Sequence, residues 1–248
     1  MSGQLNHYDE ATAAAYQKAR EIPRDGLAHW HRALREHLRP VPDRVILDLG
    51  AGTGVFSTAL ADWFGVRVLA VEPATAMRAR IPDHPLVTAV AGDAANIPAE
   101  PASLAGAWLS TVVHHVPDRV AAAHELRRVL GPGAPVLIRG VFRDRPFRVT
   151  LARYFPEVHR VLDRFPGVTE VCADFAEAGF RREALLDVPQ TSAPDLGTVL
   201  ARVTRRGDTL LRGLHEEEYA AGVARLRAAV EAGVAGPVVD RLDLLVLR

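Results

Sequence analysis

The sequence predicts an α/β fold, a doubly wound and mostly parallel sheet of seven strands. Three observations carry that prediction. From about residue 44 onward, strand-like and helix-like segments alternate. The strand-like runs are nearly continuously apolar, as strands covered on both faces are. A glycine-rich turn joins the first run directly to a helix.

Taken in order, residues 44–49 (RVILDL) form a short β-branched run, 53–64 repeat apolar side chains at helical spacing, and 66–72 (VRVLAVE) are again extended. This is a βαβ unit. Leu86–Ala91, Leu104–Thr111 and Pro135–Phe142 supply three further strands. Between the last two, Asp118–Leu130 has the period of an amphipathic helix, with Pro117 before its first turn and Gly131-Pro132-Gly133 ending it. A helix at 169–178, a strand at 180–188, two helices within 194–235 and a strand at 238–247 complete the pattern. Residues 1–39 are helical in propensity and are expected to form a lid over a main domain at 40–248, which carries capping insertions at about 143–168 and 190–236.

With 248 residues, 48% of them hydrophobic, the chain is long enough to bury a real core and is not a disordered one. Thirty basic residues offset thirty acidic ones, so no net field draws nucleic acid or an anionic membrane surface. Lys18 is the single lysine, a bias attributed to genome composition. The single cysteine, Cys172, excludes an intrachain disulfide and any CxxC spacing, which suits a reducing, cytoplasmic setting. The start has no basic region followed by an apolar one, and the apolar stretch Leu104–Val113 is half of what a bilayer span requires. His29, His31 and His37 are poorly spaced for one metal-binding face and have no acidic cluster beside them, so no metal is expected.

The chemistry concentrates in Asp48-Leu49-Gly50-Ala51-Gly52-Thr53-Gly54. Glycines there let a ligand approach the backbone, and the helix that follows offers unpaired N–H groups. Strand two ends at Glu72, where a carboxylate can accept bonds from both hydroxyls of a ribose. Strand three leads into Gly92-Asp93-Ala94, where a carboxylate can meet an adenine amino group. The dinucleotide fingerprint G-x-G-x-x-G fails, because its third glycine would fall on Val55.

LDLGAGTG, the VEP that follows, AGDAANIP and WLSTVVHHVPD together resemble the class I S-adenosylmethionine-dependent methyltransferases, in particular the small-molecule group called type 11, over roughly residues 40–142. The resemblance implies a Rossmann-like sheet, S-adenosylmethionine as cofactor with S-adenosylhomocysteine as product, and a small organic acceptor methylated on O, N or C. It places Gly50, Ala51, Gly52 and Gly54, with Asp48, around the methionine part of the cofactor. Glu72 and Pro73 fall at the ribose, Met77 on the adenine, Asp93 and Ala94 at the adenine edge, and Ser110 at the cofactor from strand four. The segment Tyr8-Asp9 … Tyr16 … Arg20 is similar to one that precedes the first strand in many of these enzymes, which implies that Tyr16 covers the cofactor and Arg20 pairs with its carboxylate. An amphipathic helix with a solvated arginine would give the same pattern.

A sulfonium methyl is already activated, so the protein mainly aligns a nucleophile and excludes water. Where the acceptor loses a proton, a histidine is a suitable base. His114 and His115 follow strand four, where an α/β sheet opens its ligand crevice, and at most one of them reaches substrate while the other touches cofactor or packs; the pair also serves simply to shape the turn. Arg143, Arg145, Arg148 and Arg153 form a basic run that either receives an acidic acceptor or is solvated. Phe142, Phe147, Tyr154, Phe155 and Phe165 line an acceptor pocket or pack a capping helix. Two other functions fit a nucleoside-binding sheet: a nicotinamide-dependent oxidoreductase, and a non-catalytic nucleoside-binding protein.

Overall fold

The computed structural model describes residues 9–19 and 22–248. Helices α1 (Glu10–Ala19) and α2 (Ala28–Leu38) precede β1 (Val45–Leu49). Then come α3 (Val55–Phe64), β2 (Arg67–Val71), α4 (Thr75–Arg78), β3 (Val87–Val90), β4 (Gly106–Ser110), α5 (Arg119–Val129) and β5 (Val136–Gly140). The remainder is α6 (Thr150–Tyr154), α7 (Val158–Leu162), α8 (Val168–Ala176), β6 (Arg182–Ala193), α9 (Leu196–Arg202), α10 (Thr209–Arg212), α11 (Glu216–Glu231) and β7 (Val238–Leu247). The seven strands form one sheet in the order β3-β2-β1-β4-β5-β7-β6. β7 alone runs opposite to the other six strands. The expected doubly wound, mostly parallel, Rossmann-like sheet is the fold.

The apolar faces of the strands dictate two layers of helices. On one side Trp30 and Leu34 of α2 and Phe56 and Leu60 of α3 pack against Ile46, Trp108 and Leu137. On the other, Leu126 and Val129 of α5 and Val171 and Phe175 of α8 cover Leu47, Leu109 and Ile138. Each such large side chain contributes about 1.5–3 kcal/mol by leaving water. α2 is therefore a core layer, although the sequence groups it with the lid. α1 takes a different place: Arg80 donates to Gln17 at 2.9 Å, and a Cβ on Gly207 would stand 2.7 Å from Ala19 Cβ, so α1 is wedged between the α4 region and the 204–208 loop.

The segment between β5 and β7 builds a third, smaller core, with Phe155, Val158, Leu211, Leu214 and Leu226 at its centre. β6 runs to Ala193 rather than 188, because it pairs with β7 along that whole length. As the edge strand it accommodates Pro189. Three helices rather than two lie within 194–235; α10, with four residues, is too short to show a period. Among the described residues, no helix is long and apolar enough to cross a membrane.

Candidate functional site

The strand order reverses between β1 and β4, each pairing outward on its other side, and that switch opens a crevice beyond their carboxyl ends. The glycine loop forms one wall. Gly50 has φ 70° and Gly52 has φ 58°, in the left-handed region that disfavours side chains. A Cβ on Gly52 would project into space that lies 3.5 Å from Met77 Cε and 3.9 Å from Tyr16 Cε1. The positive φ rather than crowding calls for glycine here, and it leaves bare backbone beside an apolar side chain and an aromatic ring, a surface that suits a flat purine or its ribose.

Glu72 is buried and holds the loop in place. Its Oε2 accepts from Gly52 N–H at 2.9 Å and its Oε1 accepts from Ala74 N–H at 2.9 Å. One lone pair on each oxygen is left for a ligand hydroxyl. Burial pushes its carboxyl above the usual range, against the pull of those two N–H groups and of Arg78. Arg78 in turn donates to the Glu72 carbonyl at 2.8 Å, which fixes α4 beneath the crevice.

Asp48 lies deeper, at the end of β1, accepting from Ser57 Oγ–H at 2.6 Å. Burial pushes its carboxyl up to about 7, opposed by the Ser57 bond and reinforced by the charge on Glu72. The unfolded chain loses this proton near pH 3.8, whereas the folded protein keeps it to about 7. The folded state thus binds more protons across that window, so this carboxyl makes stability fall as pH rises from about 4 to about 7 and adds no slope above it. Asp48→Asn is expected to flatten this decline, as read by melting temperature at stepped pH. Parallel curves for the two proteins would show that Asp48 ionises normally.

The crevice holds about 740 Å³ of space, part of it open to solvent, with Tyr16, Glu72, Pro73, Met77, Ser110 and His115 in its walls. A branch toward the first turn of α3 is lined by Asp48, Ala51, Thr53 and Arg139. Several expected residues fall outside this lining. Gly54 caps α3 at φ 81°, with Ile81 where a Cβ would be. Asp93 is exposed; its Oδ1 accepts from Ala95 N–H at 2.8 Å, and a bridge to Asn96 turns the chain, Ala94 included, beyond the crevice lining. Tyr8 and Arg20 lie outside the described residues.

Thr111 has no counterpart among the expected site residues. It lines the crevice, the branch beside α3 and a third compartment, so it stands where all three meet. Its φ of 53° is unusual for a β-branched residue and is held by its N–H donating to the Arg139 carbonyl at 2.7 Å. His114 shares that junction, lining both the crevice and the third compartment. Its ring stacks on Phe165 with centroids 4.0 Å apart and planes 8° from parallel. His115 lines the crevice alone.

Of the aromatic side chains after β5, Phe147 and Phe165 line the third compartment, Phe165 also belonging to the third core, whereas Phe142, Tyr154 and Phe155 are core residues alone. The basic run is neutralised by carboxylates distant in sequence. Arg143 pairs with Glu170 at 2.5 Å, Arg145 with Asp243 at 3.1 Å and Arg148 with Asp187 at 2.8 Å. Those three arginines are structural clamps, and an acidic acceptor would have to displace their partners. Among the described residues, no group of three His, Cys, Asp or Glu side chains is placed to hold a metal ion.

Residues 47–138 match a family model described as a methyltransferase domain. A demethylmenaquinone methyltransferase of Corynebacterium kroppenstedtii is 33% identical over 109 residues, covering 44% of this chain and 47% of the relative. The chain thus spans about half the length of the curated relative it matches at that identity. One of the same name from Mycobacterium tuberculosis is 26% identical over 218 residues, 84% of each chain. Among solved structures, a putative methyltransferase from an antibiotic biosynthesis pathway of Anabaena variabilis superposes with a TM-score of 0.70 at 23% identity, over 92% of this chain and 99% of the other. The phosphoethanolamine N-methyltransferase 2 of Haemonchus contortus, solved in complex with S-adenosyl-L-methionine, gives 0.62 at 20% identity over 98% of this chain and 57% of the other. At those identities the structures speak for the fold.

Proposed function

We propose, from the premise that residues 47–138 are a methyltransferase domain of that family, that this protein transfers the methyl group of S-adenosylmethionine to an O, N or C nucleophile of a small organic acceptor. The observation that carries the reading is the single crevice in which the Cβ-free slot at Gly52, the buried Glu72 and the junction at Thr111 and His114 come together. When bound, the cofactor supplies a methyl group activated by its positive sulfur.

The chain's own residues then have distinct tasks. Glu72 accepts the ribose hydroxyls, Met77 and Tyr16 sandwich the flat base, and Asp48 and Ser110 with the glycine loop receive the amino-acid end. Phe147 and Phe165 hold an acceptor ring beside Thr111 and keep water away, which raises the effective concentration of the nucleophile. His114 reaches both compartments, so where the acceptor must lose a proton His114 takes it, and His115 contacts the cofactor side. α1 acts as a lid through Tyr16, while α2 stays with the core. The lone Cys172, with its thiol pushed up by burial, has no partner for a disulfide, which supports a cytoplasmic location. Incubation with methyl-labelled S-adenosylmethionine and an extract of the source organism is expected to label a small organic product. Label appearing only in protein or nucleic acid would overturn the assignment of acceptor class.

A further inference from the structure

The cavities do not end at the reacting position. Thr111, His114 and Thr209 are walls common to the crevice and the third compartment. Val149, Gln190, Asp208 and Asp240 are walls common to that compartment and a fourth one. The three spaces therefore adjoin one another in turn, and the last holds about 740 Å³ of space, part of it open to solvent. It is mainly apolar, with Leu151, Val199, Val203, Leu211 and Val238 in its walls. Apolar surface left facing a cavity is stabilised when a ligand chain displaces water from it.

The wall between the last two spaces is largely polar, and its hydrogen bonds have a fixed direction. Arg139 can only donate, so the oxygen of the Gln190 amide must face it, at 2.5 Å. The Gln190 amide nitrogen then donates to Ser192 Oγ at 3.0 Å, and Ser192 donates to Asp240 Oδ2 at 2.5 Å. Thr150 N–H donates to Asp240 Oδ1 at 2.6 Å. Gln190 is 4% exposed and Asp240 is 9% exposed. Every step of the chain points toward Asp240, whose oxygens each accept one bond and retain one lone pair. A buried carboxylate at a cavity wall with acceptor capacity left over favours a ligand that brings a donor.

We infer that the acceptor is an elongated amphiphile: its methylated head lies beside the stacked His114–Phe165 pair, against Thr111 and Phe147, a hydroxyl or amine at its middle donates to Asp240, and an apolar tail of several carbons fills the chamber walled by Leu151, Val199, Val203 and Leu211. The inference rests on the methyltransferase reading of the crevice and extends it to the acceptor's shape and chemistry.

Calorimetric binding of 4-alkylphenols to the full chain, saturated with S-adenosylhomocysteine, tests this. Each buried methylene is expected to raise affinity about threefold to fourfold, so 4-hexylphenol, with four more methylenes, should bind about 80-fold to 250-fold more tightly than 4-ethylphenol. Val203→Trp, which fills the chamber from a half-buried wall position, should cut that ratio to below about threefold while leaving S-adenosylhomocysteine affinity unchanged. A chain hydroxyl two carbons from the ring should raise affinity severalfold in the wild type and lose that advantage in Asp240→Asn, a comparison between two probes on one protein that a packing defect does not move. A flat chain-length series in a protein that binds S-adenosylhomocysteine would overturn this inference alone, as would a steep series that survives Val203→Trp. Failure to bind S-adenosylhomocysteine at all would instead remove the methyltransferase reading.

Discussion

Replacing Glu72 with alanine is expected to weaken S-adenosylhomocysteine binding by about 1.5–3 kcal/mol, the range for hydrogen bonds to a charged group. Two losses combine. The ribose hydroxyls lose their acceptor, and the N–H groups of Gly52 and Ala74, which the carboxylate ties together, lose theirs. The loop that forms the cofactor slot is then free to drift. Glu72→Gln is not a mild alternative, because its NH₂ would face one of those backbone N–H groups, donor against donor. Calorimetric titration of each variant decides the matter: wild-type affinity in Glu72→Ala would remove this residue from the site.

His114→Ala is expected to lower kcat by about a hundredfold to ten-thousandfold, the span general-base catalysis typically contributes, with S-adenosylhomocysteine affinity within about twofold of wild type. The two histidines differ in placement. His114 is pinned by the Phe165 ring at the boundary of cofactor crevice and acceptor compartment, while His115 lines the crevice alone. His115→Ala should accordingly alter cofactor affinity more than turnover. Transfer of labelled methyl to the extract-derived product measures the rate. An unchanged rate would leave His114 as a packing partner of Phe165.

The strands β1 to β5 and β7 were legible in the sequence because each is a short apolar run bounded by turn residues, and the glycine loop because Gly50 and Gly52 adopt backbone angles that other residues avoid. The end of β6 was not legible. DVPQTSAP contains a proline and turn formers, and only its pairing with β7 makes it a strand. Thr111, Arg139, Gln190 and Asp240 were missed for a related reason. They come from the ends of β4, β5, β6 and β7, and they meet only once the sheet is ordered. A weak signal was present, since Arg139 in VLIRG and Asp240 in VVDRL are charged residues inside strand runs that are otherwise largely apolar. The arginine run after β5 misled in the opposite sense, because its neutralising partners, Glu170, Asp187 and Asp243, lie on α8, β6 and β7.

The central claim is that the crevice at the β1–β4 switch holds a sulfur nucleoside, and parallel calorimetric titrations with S-adenosylhomocysteine and NAD test it most directly. The expected result is one site for S-adenosylhomocysteine with micromolar-range affinity and no heat from NAD. At about 100 dissociation constants of ligand, this binding should stabilise the fold by about 2.7 kcal/mol. Saturable binding of NAD without binding of S-adenosylhomocysteine would contradict the account.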